Sequence, residues 1–123
     1  MIGYVTLGTA DLARAAAFYD ALLGEIGATR LMESERFVAW AVDPRQPSLG
    51  VILPFDGKAA TIGNGCMTAL AVDSPAKVDR LHAKAIELGA SDEGPAGPRS
   101  DGFYAGYFRD LDGNKLNCCY MGE

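Results

Sequence analysis

Residues 108–121, FRDLDGNKLNCCYM, decide how the rest of the chain is read. Asp112-Gly113-Asn114 is a tight-turn signal between two apolar stretches, FYAGYFRD (103–110) and KLNCCYMG (115–122). That pattern predicts a hairpin. Side chains alternate along a strand, so Asn117, Cys119 and Met121 share one face, while Leu116, Cys118 and Tyr120 share the other. The spacing Asp110-x-Asp112-Gly113-Asn114 also has the look of a calcium loop. Its twelfth place is Met121 rather than a carboxylate, which favours a turn.

The same order of signals occurs earlier in the chain. FVAWAVD (37–43) corresponds to FYAGYFRD, and SLGVILPF (48–55) to KLNCCYMG. Upstream of each lies an apolar strand and then an amphipathic helix: YVTLGT before the first, MTALAV before the second, with Tyr4 aligned on Met67. The first helix starts after Thr9 as N-cap and places Leu12, Ala15, Ala16, Tyr19, Leu22, Leu23 and Ile26 on one stripe. Gly24 or Gly27 ends it. For the second, Ser74 is the N-cap, Pro75 the first helical residue and Gly89 the stop; Val78, Leu81, His82, Ala85 and Ile86 form its stripe. The prediction is therefore an α+β fold of two βαβββ modules, residues 1–58 and 65–123, in a single domain. Residues 91–102, SDEGPAGPRSDG, read as a Gly/Pro-rich loop that either covers a site or only connects elements.

The chain has 123 residues, a net charge of −5 and no Lys/Arg cluster, which argues against nucleic acid as a partner. No apolar run approaches the ~20 residues of a membrane span. The N-terminal stretch lacks the signature of a signal peptide, so a cytoplasmic location is expected. Three cysteines, an odd number with Cys118 and Cys119 adjacent, read as free thiols.

The repeated unit resembles the vicinal oxygen chelate superfamily, which includes glyoxalases, bleomycin-resistance proteins and extradiol dioxygenases. The resemblance rests on Tyr4-Val5-Thr6-Leu7, Asp11-Leu12 and Phe18-Tyr19 near the start, and on Phe108-Arg109-Asp110-Leu111-Asp112-Gly113-Asn114 near the end. It implies an open, cup-shaped mixed sheet with helices outside, and a homodimer. It also implies metal-ligand places at Tyr4, Gly50, Met67 and Asn117. None of these four is a usual ligand for the metals of that family. No metal and no cofactor is therefore expected, nor is metal-dependent glyoxalase or dioxygenase activity.

By strand parity Tyr4, Thr6, Gly8, Met67, Ala69, Ala71, Asn117 and Cys119 line the cup. Trp40, Tyr104 and Tyr107 lie on strands of its wall, and Arg99 in the Gly/Pro loop could clamp an anionic group. Cys119 is the thiol placed to act as a nucleophile, but no activating partner is evident, and a small buried hydrophobe is the plainer reading. His82, a possible general base, lies on the second helix's apolar stripe, which favours a structural role. Three functions follow. The first is a protein that binds a small, largely apolar or aromatic molecule without metal. The second is a metal-independent isomerase or lyase using Tyr4 with Asn117 or Cys119. The third is a dimeric structural or regulatory domain whose cup is filled.

Overall fold

Each half of the repeat folds as its own βαβββ unit. The structure, a computed structural model, describes residues 1–122 and divides into two compact units, Met1–Gly63 and a second that starts at Asn64. The first module runs β1 (Tyr4–Gly8), α1 (Leu12–Gly24), β2 (Thr29–Glu33), β3 (Phe37–Ala41) and β4 (Ser48–Ile52). Its sheet has the order β1-β4-β3-β2, with β1 parallel to β4 and the other pairs antiparallel. The second module repeats this with β5 (Thr68–Ala71), α2 (Pro75–Glu87), β6 (Ser91–Ser100), β7 (Phe103–Arg109) and β8 (Lys115–Met121), in the order β5-β8-β7-β6. The fold is α+β, as the internal repeat predicts.

Local chemistry explains the helix boundaries. Asp11, not Thr9, caps α1: its carboxylate accepts the Arg14 backbone N–H at 3.1 Å. Thr9 is buried one step earlier, where its hydroxyl accepts the Asp11 N–H at 3.0 Å and donates to the Asp11 carbonyl at 3.1 Å. Two capping residues in series move the helix start past the one the sequence favours. Ser74 does cap α2, accepting from Lys77 N–H at 3.2 Å, with Pro75 as first helical residue. Gly89, at φ +106°, supplies the left-handed stop that other residues adopt at a cost.

Each helix covers one face of its own sheet. In the first module Ala15, Ala16, Tyr19, Leu22 and Leu23 are buried as the stripe requires, joined by Phe18. Phe18 packs edge-on against Tyr19 with ring centroids 4.9 Å apart. Tyr19 meets Trp40 of β3 at 5.7 Å. Trp40 Nε1–H donates to Asp20 Oδ1 at 2.8 Å, and Arg30 of β2 grips the same carboxylate through Nε and Nη2 at 3.0 and 2.7 Å. The Arg30 guanidinium holds the Asp20 carboxyl below the usual carboxylate range. In the second module Val78, Leu81, His82 and Ala85 pack on Phe108, Leu116 and Cys118, all buried.

The stretch 91–102 is a correction to the sequence reading. Residues Ser91–Ser100 form the ten-residue strand β6, antiparallel to β7, with register shifts between Asp92/Gly94, Gly94/Gly97 and Pro98/Ser100. Being at the sheet edge, β6 needs a hydrogen-bonded neighbour on one side only, so Pro95 and Pro98 are tolerated. The glycines absorb the bulges. Composition pointed to a loop; the free edge decides for a strand.

Candidate functional site

The alternation of side chains divides the expected site residues between the two faces of each sheet. In the first module, Tyr4 and Thr6 of β1 stand opposite Ser48 and Gly50 of β4, and Phe37 and Ala39 of β3 stand opposite Ile52 and Gly50. These residues form the face away from α1. All of them but Gly50, together with Leu31 and Met32 of β2, line a cavity of about 420 Å3. Tyr4 is 66% exposed at its rim, and Met32 is 59% exposed. A larger, more open depression of about 700 Å3 lies on the helix side and includes Leu12, Ala16, Arg30, Glu33 and Glu35. It is the poorer candidate, because Arg30 there is committed to Asp20 and Glu33 and no expected site residue lines it.

In the second module the face away from α2 carries Ala69 and Ala71 of β5, Asn117 and Cys119 of β8, and Ala105 and Tyr107 of β7. Met67 precedes β5 and is exposed. Arg99, expected in a loop, is on β6. Its guanidinium stacks over the Tyr107 ring at 5.4 Å and donates to the carbonyls of Pro95 and Gly97 at 2.6 and 3.0 Å.

Two expected wall aromatics point the other way. Trp40 is 1% exposed and turned to α1. Tyr104 also lies on the helix side, where its hydroxyl donates to Asp79 Oδ1 of α2 at 2.7 Å. Strand parity counted from Asn117 through its cross-strand partner Tyr107 separates Tyr107 from Tyr104, and the same count from Gly50 separates Ala39 from Trp40. Phe37, Leu31, Met32, Ser48 and Ile52 were missed by sequence reasoning. The pairing of Phe37 with Ile52, two residues beyond Gly50, could have found the last two and Phe37. Nothing in the irregular TRLME stretch marks Leu31 and Met32.

The residues at the family's metal places do not fit a metal. Gly50 has no side chain, and a Cβ built there would overlap the Phe37 ring, with Cζ only 2.8 Å away. Met67 offers a thioether, Tyr4 a phenol and Asn117 an amide, none of which suits a catalytic zinc, iron or manganese as the sole donors. Among the described residues no group of three or more His, Cys, Asp or Glu could hold a metal ion. The Asp110 turn uses its carboxylate internally: Oδ1 accepts the N–H groups of Asp112 and Asn114, both at 2.9 Å.

The candidate acids, bases and nucleophiles are similarly constrained. His82 is buried, with Nε2 3.1 Å from the Tyr107 carbonyl and 3.3 Å from Asp92 Oδ1. A Cβ on Gly106 would lie 2.8 Å from the imidazole Cδ2, so that ring fills the space a larger residue would take. It packs the helix on the sheet. Burial pushes the Cys119 thiol up from its usual range, and the Cys118 thiol to about 11. Neither is a ready nucleophile at neutrality. With a thiol reagent at neutral pH, Cys66, which is exposed, is expected to react fast and the other two only on unfolding. Fast modification of Cys119 in the native protein, located by peptide mass mapping, would contradict this reading.

The geometry defines a class: an α+β protein of two βαβββ modules, each keeping one sheet face clear of its helix. The chain belongs to the Glyoxalase/Bleomycin resistance protein/Dioxygenase superfamily, which matches residues 1–118. It is similar to a glyoxalase/bleomycin resistance protein from Albidiferax ferrireducens T118, with 36% identity, 97% of each chain covered and a TM-score of 0.89. A lactoylglutathione lyase from Agrobacterium tumefaciens is 20% identical, with 97% of this chain and 92% of that one covered and a TM-score of 0.74. For a fosfomycin resistance protein from Mesorhizobium loti the figures are 18%, 98%, 90% and 0.69. These last two share the fold alone. No curated protein matches the chain.

Proposed function

We propose that this protein binds a small, largely apolar or aromatic molecule on the open face of its sheet, without a metal. The observation that carries the reading is the cavity of about 420 Å3 bounded by Tyr4, Thr6, Met32, Phe37, Ala39 and Ile52. Its size falls in the ~300–1,000 Å3 range of small-molecule sites, and its mix of apolar wall with one phenol and two hydroxyls suits such a ligand. The cavity supports binding over a face filled by its own side chains. Among the described residues neither the Tyr4 hydroxyl nor the Cys119 thiol has a polar or basic partner within hydrogen-bond reach, which favours binding over proton transfer.

The same reading takes the chain as one domain of two modules, working in the cytoplasm as a homodimer. Three unbridged cysteines support a reducing compartment, and among the described residues no helix is long and apolar enough to cross a membrane. Exposed apolar side chains such as Phe55 and Ile62 support a partner surface. Native mass spectrometry reads the oligomer and any retained molecule together.

The test uses 1-anilinonaphthalene-8-sulfonate as a fluorescent apolar probe. Saturable binding to the native protein is expected, weakened about tenfold or more by Met32→Glu, since covering the exposed Met32 side chain with the probe contributes up to ~1.5–3 kcal/mol. Met32 is exposed enough that the variant should fold. Binding that is absent, or that ignores this substitution, would remove the cavity as the site.

A further inference from the structure

The second module holds an arrangement that the cavity reading does not use. Lys115 opens β8 and shares the open face with Asn117, two residues further on. It is half-buried, and among the described residues its ammonium has no carboxylate partner. What it meets is the Tyr107 ring, with Nζ 5.6 Å from the centroid. The Arg99 guanidinium lies over the same ring at 5.4 Å, and among the described residues its N–H groups bond only to carbonyls of its own strand. Arg109, next along the face, differs: its Nε lies 3.2 Å from Glu93 Oε1. Two cations without counter-ions thus converge on one phenol in a chain of net charge −5. Directly across from Tyr107, Asn117 is 2% exposed, and its Oδ1 is a buried acceptor with no hydrogen-bond partner among the described residues. Buried polar groups are nearly always satisfied, so an orphan acceptor on a face rimmed by unpaired cations points to a missing ligand.

We propose that Lys115 and Arg99, both held against the Tyr107 ring, form a subsite for a small organic anion. Asn117 at its floor accepts a hydrogen bond from a hydroxyl or N–H on the same molecule. A carboxylate at the rim supplies the charge that the two cations lack and replaces a weak ring contact with charge-assisted hydrogen bonds. The donor end satisfies the amide. The ligand class is a hydroxylated or amide-bearing organic acid.

The probe is 4-hydroxybenzoate, titrated into 15N-labelled protein and followed by the amide signals of Arg99, Tyr107, Lys115 and Asn117. Saturable shifts are expected, with affinity falling as salt rises from about 20 mM to about 500 mM. Lys115→Met and Arg99→Gln should each weaken binding about tenfold, and Lys115→Arg should restore most of it. Methyl 4-hydroxybenzoate, which lacks the charge, should bind about tenfold less well, and benzoate, which lacks the donor, should lose the Asn117 response. No saturable shift by about 10 mM, equal binding of acid and ester, or indifference to Lys115→Met and to Arg99→Gln overturns the proposal. Arg99 is exposed, so its variant tests the point even if Lys115→Met unfolds.

Discussion

Trp40→Ala is expected to lower the unfolding free energy by about 3–5 kcal/mol, read by urea denaturation with circular dichroism. That is a large share of the ~5–15 kcal/mol that holds an ordinary domain together. The indole is 1% exposed and packs on Tyr19 of α1. Its N–H also donates to Asp20, the carboxylate that Arg30 of β2 grips from the other side. Removing the ring empties the centre of the first module and takes away one of the ties between helix and sheet. Trp40→Phe separates the two effects. It retains an aromatic ring, leaves Asp20 bonded to Arg30, and should cost about 1–2 kcal/mol. Neither the indole nor its partners touch the cavity, so probe binding to Trp40→Phe should match the native protein. A weakened probe site at unchanged stability would place Trp40 among the ligand contacts instead.

Asp110→Ala is expected to cost about 2–4 kcal/mol, because a carboxylate bonded to backbone N–H groups contributes more than a neutral acceptor. Asp110 is buried. Its Oδ1 accepts from the backbone of Asp112 and Asn114, and its Oδ2 accepts from Asn114 Nδ2 at 3.0 Å. The same five residues close the turn through backbone bonds from Gly113 N–H to the Asp110 carbonyl and from Asp110 N–H to the Asn114 carbonyl. Alanine leaves those N–H donors without their acceptor and loosens the entry to β8, which pairs with both β5 and β7. Asp110→Asn, with one comparable oxygen, should lose roughly half as much. Calcium added to the native protein should not raise its melting temperature, since the carboxylate is already spent on the turn. A stabilisation by calcium that Asp110→Asn abolishes would restore the loop reading.

Legibility of the site followed strand parity and stopped where parity lacked an anchor. From Asn117 the alternation put Cys119 and Met121 on one face and Leu116 and Cys118 on the other, and the register with β5 and β7 agrees. Trp40 and Tyr104 were given no anchor, and their aromatic character suggested a ligand wall when both in fact bond to helices. Lys115 stood in plain view two residues before Asn117. Nothing in one sequence shows that its charge is uncompensated, because that depends on which carboxylates come near.

The sequence by itself determined the two-module plan, since a repeated order of period-2 and period-3.6 stripes with matched caps and turns admits few other folds. Residue identity alone also shows that Tyr4, Gly50, Met67 and Asn117 are not the usual donors of a catalytic zinc, iron or manganese. Tertiary structure decided the rest. It made residues 91–100 a strand, because an edge forgives the missing N–H of proline. It laid the Phe37 ring over Gly50, filling the place a ligand side chain would need. It also left Asn117 Oδ1 buried with no hydrogen-bond partner among the described residues, on the face where Lys115 and Arg99 meet Tyr107, and these are relations between distant residues that no local pattern encodes.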